Sequence, residues 1–168
     1  MMDVVNDLLG YKNLKIVQNN QMFSFSLDSV LLPNFVTINK NVKNILDIGC
    51  GNAPIPIILS TLTSAKIKGV EIQKDVALLA KKSIELNNLN DQIEIINDDI
   101  NEIAKTIPTE SFDIITCNPP YFKVIKNSNL NQSDYKTIAR HEVTLNIEVL
   151  CKISKKLLKN KGLLALVH

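Results

Sequence analysis

From residue 44 onward, short apolar runs alternate with longer segments in which apolar residues return every three or four positions. The runs are NILDI (44–48), AKIKGVEI (65–72), QIEII (92–96) and FDIITC (112–117), and a last one, LLALV, follows Gly162. Runs of this length, rich in β-branched residues and bounded by turn residues, predict buried strands. Between them, Ile55–Leu62 predicts a helix with Pro54 or Pro56 in its first turn, where a missing N–H costs nothing. Residues 74–88 put Val76, Leu79, Ala80, Ser83, Ile84 and Asn87 on one helical face, with Asp75 early and Asn87-Asn88 late, as the helix dipole and C-cap favour. Ile100–Lys105 predicts a short helix and Ile147–Leu158 an amphipathic one.

Strands alternating with helices imply βαβ units and a mostly parallel sheet covered on both faces, an α/β, doubly wound, Rossmann-like architecture. In such sheets ligands bind beyond the carboxyl ends of the strands. That rule singles out Asp47 to Asn52, Glu71, Asn97 to Ile100, and Asn118 to Tyr121. The first 40 residues read differently. LKIVQNNQMFSFSLDSVLL predicts a hairpin turning at Asn19-Asn20 and then a helix near 28–38, kinked or delayed by Pro33. They hold too few apolar residues to bury a core alone, so residues 1–168 read as one domain, with 1–40 an extension and 41–168 the core. Residues 123–136 read as a polar loop long enough to be a lid or a substrate-binding loop.

Composition narrows the class. A chain of 168 residues, 45% hydrophobic and 21% charged, suits one soluble globular domain. No apolar run approaches a membrane span, and the acidic N-terminus MMDVVNDLLGYK does not suit a signal peptide, so a cytoplasmic protein is expected. Cys50, Cys117 and Cys151 lack zinc or disulfide spacing and read as reduced thiols. With only His141 and His168 besides, no metal site is expected. Residues 1–118 carry 10 basic and 14 acidic side chains, residues 119–168 carry 9 and 3. The basic end, with Lys152, Lys155, Lys156 and Lys159 at helical spacing, suits either a phosphate backbone or a solvated face.

The chemistry concentrates in two motifs. DIGCGNAP (47–54) sets Gly49 and Gly51 between a strand and a helix, but Pro54 stands where a dinucleotide fingerprint needs its third glycine, and no Lys-Ser/Thr pair follows for a nucleoside triphosphate. Asp47 would repel a pyrophosphate and welcome a ligand carrying an amino group. Glu71 closes the second core strand, where a carboxylate accepts ribose hydroxyls. Asp98 and Asp99 follow the third, and either serves equally well as a helix N-cap. The second motif is NPPY (118–121), an amide and two backbone-locking prolines at the end of the fourth strand.

Asp-x-Gly-x-Gly, an acid after each of the next two strands, and Asn-Pro-Pro-Tyr together resemble the class I S-adenosylmethionine-dependent methyltransferases, in the branch that methylates adenine N6 or glutamine amides. FSFSLDSVLL (23–32) and IARHE (138–142) resemble, more narrowly, the bacterial tRNA(Val) adenine-N6 methyltransferase family, over about residues 8–168. The resemblance implies S-adenosyl-L-methionine as cofactor, held by Asp28, Asp47, Gly49, Gly51, Glu71, Asp99, Ile100 and Asn118. It implies a substrate clamp of Asn118, Pro119, Pro120 and Tyr121, and a tRNA as partner. Asp28 reads equally as a cap for the helix after it, and Arg140 and His141 as either RNA contacts or surface residues. Ala53 departs from the glycine or serine usual there. The family's closing antiparallel hairpin is absent before His168, so the core reads as minimal or truncated. In the clamp, the Asn118 side-chain carbonyl and the Pro119 main-chain carbonyl would accept the two N–H bonds of a target amine and aim its lone pair at the methyl, while Tyr121 offers an aromatic face. Protein-glutamine methylation, DNA adenine methylation and a non-catalytic cofactor- or RNA-binding module are the alternatives.

Overall fold

The computed structural model describes residues 3–11, 13–19, 25–119 and 147–167. Pro120, Tyr121, Arg140, His141 and the polar loop 123–136 therefore lie outside the described residues. In chain order the elements are β1 (Asp3–Asp7), β2 (Lys15–Asn19), α1 (Leu27–Phe35), β3 (Asn44–Ile48), α2 (Pro54–Leu62), β4 (Lys66–Val70), α3 (Lys74–Leu86), β5 (Ile93–Ile96), α4 (Ile100–Thr106), β6 (Phe112–Cys117), α5 (Ile147–Leu157) and β7 (Leu158–Leu166).

The core is a five-stranded sheet in the order β5-β4-β3-β6-β7, parallel at every pairing. Strand order runs outward from β3 in one direction and then reverses to β6, so the switch point of the winding lies between β3 and β6. Side chains alternate across the sheet. Ile45, Ile67, Ile93 and Ile114 join α1, α2 and α3 on one face. Leu46, Ile48, Val70, Ile115 and Cys117 join Ile100, Ala104, Leu150, Ile153 and Leu157 from α4 and α5 on the other. Burial on both faces explains why these strands read as continuous apolar runs, each large aliphatic contributing roughly 1.5–3 kcal/mol.

Two expectations are corrected, and a third, the turn at Asn19-Asn20, runs into residues 20–24, which lie outside the described residues; the hairpin that is described lies before it. β1 and β2 pair antiparallel from Asp3↔Asn19 to Asp7↔Lys15, and the connection runs through residues 8–14, with Gly10 at φ 81° and Asn13 at φ 77°. The mostly exposed β1 carries Asp3, Asn6 and Asp7, so no apolar alternation marks it as a strand. α1 starts at Leu27 and ends at Phe35, with Pro33 inside it. Lacking an N–H for the Ser29 carbonyl one turn earlier, Pro33 sits where the helix has only two residues left to run. Finally, β7 begins at Leu158, directly after α5, and shifts register between Phe112 and Ile114 before resuming at Leu163.

The outer edge of β2 is closed by side chains instead of a third strand. The Asn87 amide accepts from Lys15 N at 2.9 Å and donates to Lys15 O at 2.7 Å. Ser83 Oγ accepts from Val17 N at 2.9 Å, and Asn52 Nδ2 donates to Val17 O at 3.0 Å. Two of these residues belong to α3 and its C-cap; Asn52 belongs to the glycine loop, so the hairpin braces that loop.

Candidate active site

The loop after β3 folds back over β4: Gly49 N and Cys50 N both donate to Val70 O, at 2.9 and 3.0 Å. Gly49 (φ 69°), Gly51 (φ 56°) and Ala53 (φ 72°) alternate in the left-handed region. A Cβ built on Gly49 or Gly51 would meet nothing within 4 Å, so space lies open beside the loop's backbone. Glycine adopts these angles freely, while Ala53, buried as the residue before Pro54, holds its angle at a cost of about 1–2 kcal/mol. Gly69 lies across from Asp47 on β4, and its own Cβ would stand 2.8 Å from both Cys50 Sγ and Ile95 Cδ1. The Cys50 thiol occupies the volume that a side chain on β4 would fill.

Two carboxyls border this loop. Asp47 is fully buried, and its Oδ1 accepts a 2.6 Å hydrogen bond from Thr116 Oγ1, its cross-strand partner on β6. Its Oδ2 is also buried and has no hydrogen-bond partner among the described residues. Burial pushes the Asp47 carboxyl up to about 7, against the opposing Thr116 bond and with a smaller push from the charge of Glu71. Glu71 is 5% exposed and spans the loop: Oε2 accepts from Gly51 N at 3.0 Å and Oε1 from Gln73 N at 2.8 Å. Asn97 at the end of β5 fixes the same turn by donating to Glu71 O at 2.8 Å and Ile72 O at 3.1 Å. Burial also drives the Cys50 and Cys117 thiols upward, away from the nucleophilic thiolate form.

Asn118 follows β6 directly. Its Nδ2 donates to Ser29 Oγ at 2.9 Å and lies 3.3 Å from Ser26 Oγ. The start of α1 thus meets the end of β6 beside the switch point. Asp28 stands in the first turn of α1, half-buried; Ser26 holds the cap position, so the capping alternative for Asp28 is not realised. Asp99 does cap α4, with Oδ1 accepting from Asn101 N at 2.8 Å and Asn101 Nδ2 at 2.9 Å. The Ile100 side chain packs in the core beneath.

The structure therefore gathers Asp47, Gly49, Gly51, Glu71 and Asn118 at the carboxyl ends of β3, β4 and β6. The basic stretch is less free than its spacing suggests. Lys156 Nζ donates to Ala104 O at 2.6 Å and Lys159 Nζ to Asp113 Oδ1 at 2.8 Å, leaving Lys152 and Lys155 on the exposed side of α5. Among the described residues, no group of three or more His, Cys, Asp or Glu is placed to hold a metal ion, and no helix is long and apolar enough to cross a membrane. Sequence reasoning missed Thr116, Ser26 and Ser29, and placed Asn97 at a strand end without a role. Ser26 and Ser29 carried the one usable signal, two hydroxyls three residues apart on one side of a helix start.

The chain was compared with known proteins. The family model of the methyltransferase small domain matches residues 13–168. Proteins named tRNA1(Val) (adenine(37)-N6)-methyltransferase match from Shewanella halifaxensis, 31% identical over 84% of this chain, and from Porphyromonas gingivalis, 32% identical over 96%. Another of that name, from Flavobacterium psychrophilum, is 28% identical over 95% of the chain. The chain spans 56%, 64% and 67% of the length of the Shewanella, Porphyromonas and Flavobacterium proteins. The fold matches the SAM-dependent methyltransferase from Agrobacterium tumefaciens with TM-score 0.64, at 17% identity over 99% of this chain and 53% of that one. It also matches one from Thiobacillus denitrificans, solved with S-adenosyl-L-homocysteine, with TM-score 0.57, at 13% identity over 84% of this chain and 48% of that one.

Proposed function

Because this chain belongs to the methyltransferase small domain family, we propose that it transfers a methyl group from S-adenosyl-L-methionine to the exocyclic N6 of an adenine in RNA, with a tRNA as substrate. The observation that carries the reading is the meeting of Asn118, at the end of β6, with the acid-flanked glycine loop at the ends of β3 and β4. The names of the relatives support the choice of tRNA.

The residues present fit the cofactor. The partnerless, buried Asp47 Oδ2 suits an ammonium group, and the open space beside Gly49 and Gly51 suits a ligand lying along the backbone. Glu71, whose oxygens accept from Gly51 N and Gln73 N, stands at the end of β4, where a carboxylate suits the hydroxyls of a ribose. Asp28, Asp99 and Ile100 complete the proposed set; Asp99 keeps its capping bonds, and Ile100 would act through its main chain. When bound, the cofactor supplies an electrophilic methyl on a sulfonium centre.

Everything else falls to the chain. The amine of adenine is a poor nucleophile because its lone pair is delocalised, so catalysis rests on holding it in line and favouring charge on nitrogen. The Asn118 side-chain carbonyl and the Pro119 carbonyl would accept its two N–H bonds and so hold the amine for transfer. The prolines restrict the backbone, so the acceptors need little reorganisation. Pro120 and Tyr121 complete the proposed clamp, with the ring as a stacking face for the base. An adenine reaches such a clamp at least cost from a single-stranded loop.

The test is mass spectrometry of nucleosides in tRNA from cells with and without this gene. Loss of N6-methyladenosine from one tRNA is expected. An unchanged profile would overturn the proposal and direct the search to glutamine amides in proteins.

A further inference from the structure

We infer that Gln18 binds the carboxylate of the cofactor's amino-acid end, while Asp47 takes its ammonium. The inference rests on the proposed methyl-transfer reading with S-adenosyl-L-methionine. A polar atom buried without a partner is costly, so each one in a folded chain calls for an explanation. Among the described residues three side-chain atoms are in that position: Gln18 Nε2, Asp47 Oδ2 and Ser154 Oγ. Ser154 belongs to α5, whose Ile153 and Leu157 pack on the other face of the sheet. The first two border the glycine loop and are of opposite kinds, an amide nitrogen that donates and a carboxyl oxygen that accepts. The amino-acid end of the cofactor brings the complement of both, an acceptor carboxylate and a donor ammonium.

Asp47 leads into the loop from β3, and Asn52 within the loop donates to Val17 O at 3.0 Å, so β2 meets the loop at the residue next to Gln18. Side chains alternate along a strand, and Ile16, on the same face as Gln18, packs with Val30 and Leu32 of α1 and Ile55 and Ile58 of α2. Gln18 is therefore enclosed on the side of the loop and the two helices, and is 9% exposed. Its Oε1 accepts from Asn6 Nδ2 at 2.8 Å, which holds the amide by one end and leaves the other end unmatched. Exposed Asn6 can turn over together with Gln18, so a carboxylate always finds an N–H end to bind. The loop's own backbone offers little to such a group. The N–H groups of Gly49 and Cys50 donate to Val70 O, that of Gly51 to Glu71 Oε2 and that of Ala53 to Cys50 O. With Asp47 and Glu71 both at the loop, a carboxylate needs a donor of its own, and Gln18 supplies it.

Calorimetry with two probes tests the assignment. One is S-adenosyl-L-homocysteine, which carries both charged groups; the other is its decarboxylated counterpart, which keeps only the amine. Gln18→Met is expected to raise the Kd of S-adenosyl-L-homocysteine about tenfold or more, the effect of losing a hydrogen bond to a charged group. The Kd of the decarboxylated probe should stay within about twofold. Gln18→Glu should weaken S-adenosyl-L-homocysteine further, because it sets one carboxylate against another, and spare the decarboxylated probe. Asp47→Asn should weaken both probes, since both carry the amine. The melting temperature of ligand-free Gln18→Met should not fall, because methionine removes an unmatched donor from the interior. An unchanged Kd of S-adenosyl-L-homocysteine in Gln18→Met, or an equal loss for the two probes, would overturn the inference and leave the methyl-transfer reading standing. Should Gln18→Met fail to fold, Gln18→Glu decides by the same comparison. Wild-type protein that binds neither probe would overturn the methyl-transfer reading and the inference with it.

Discussion

Replacing Asp47 by asparagine isolates the cost of keeping a carboxyl in the floor of the site. Burial raises its pKa from 3.8 to about 7, so between those values the folded chain holds a proton that the unfolded chain has released. Stability contributed by this group must therefore fall as pH rises through that window and level off above it. The slope is about 1.4 kcal/mol per pH unit, or roughly 4 kcal/mol in all. The asparagine resembles the protonated acid: its Oδ1 can still accept from Thr116, and its Nδ2 takes the place of the partnerless Oδ2. The unmatched donor costs about 1–3 kcal/mol at every pH and shifts the whole curve without bending it. Urea titrations of the cofactor-free protein at intervals from pH 4 to pH 8 measure the difference. Wild type should lose stability relative to Asp47→Asn as pH rises, most of it below about pH 7, while the variant binds S-adenosyl-L-methionine more weakly. Two curves that run parallel would refute the buried-acid argument.

Asn118→Ala should lower kcat by about a hundredfold or more while calorimetry shows S-adenosyl-L-methionine binding nearly intact; equal loss of both would remove Asn118 from the clamp. Glu71→Ala should weaken cofactor binding and also lower the melting temperature, because it frees the Gly51 and Gln73 N–H groups, a loss of about 1.5–3 kcal/mol per charged hydrogen bond. Gly69→Ala should destabilise by about 1–3 kcal/mol through its 2.8 Å contacts, and adding Cys50→Ala should recover part of that in a double-mutant cycle. Ala53→Gly should stabilise by about 1 kcal/mol in denaturant titration, since glycine holds φ 72° without strain.

From β3 to α5 the elements were legible because burial on both faces leaves little ambiguity in the pattern. NILDI became β3 without a residue's change, and Pro54 marks the first residue of α2. β1 was not legible, because a mostly exposed strand carrying Asp3, Asn6 and Asp7 follows no apolar rule. Asp47, Gly49, Gly51, Glu71 and Asn118 were legible from their places after strands, since winding a parallel sheet brings strand ends together. The supports of the site were not. Thr116 looks like one more β-branched strand residue until the register sets it opposite Asp47. Ser29 looks like an ordinary helix residue until tertiary packing lays α1 against the end of β6, and no local pattern encodes a contact 89 residues long.

The closed edge of β2 bears on the order in which the chain can assemble. Lys15 and Val17 lie close to the start of this sequence, yet their outward amides and carbonyls are satisfied by Asn52, Ser83 and Asn87, up to 72 residues later. During synthesis the hairpin is made well before most of what it leans on. Until α3 has formed, its edge remains open to water or to a neighbouring nascent chain. The edge can close in its native way only once Asn52, Ser83 and Asn87 have all been made.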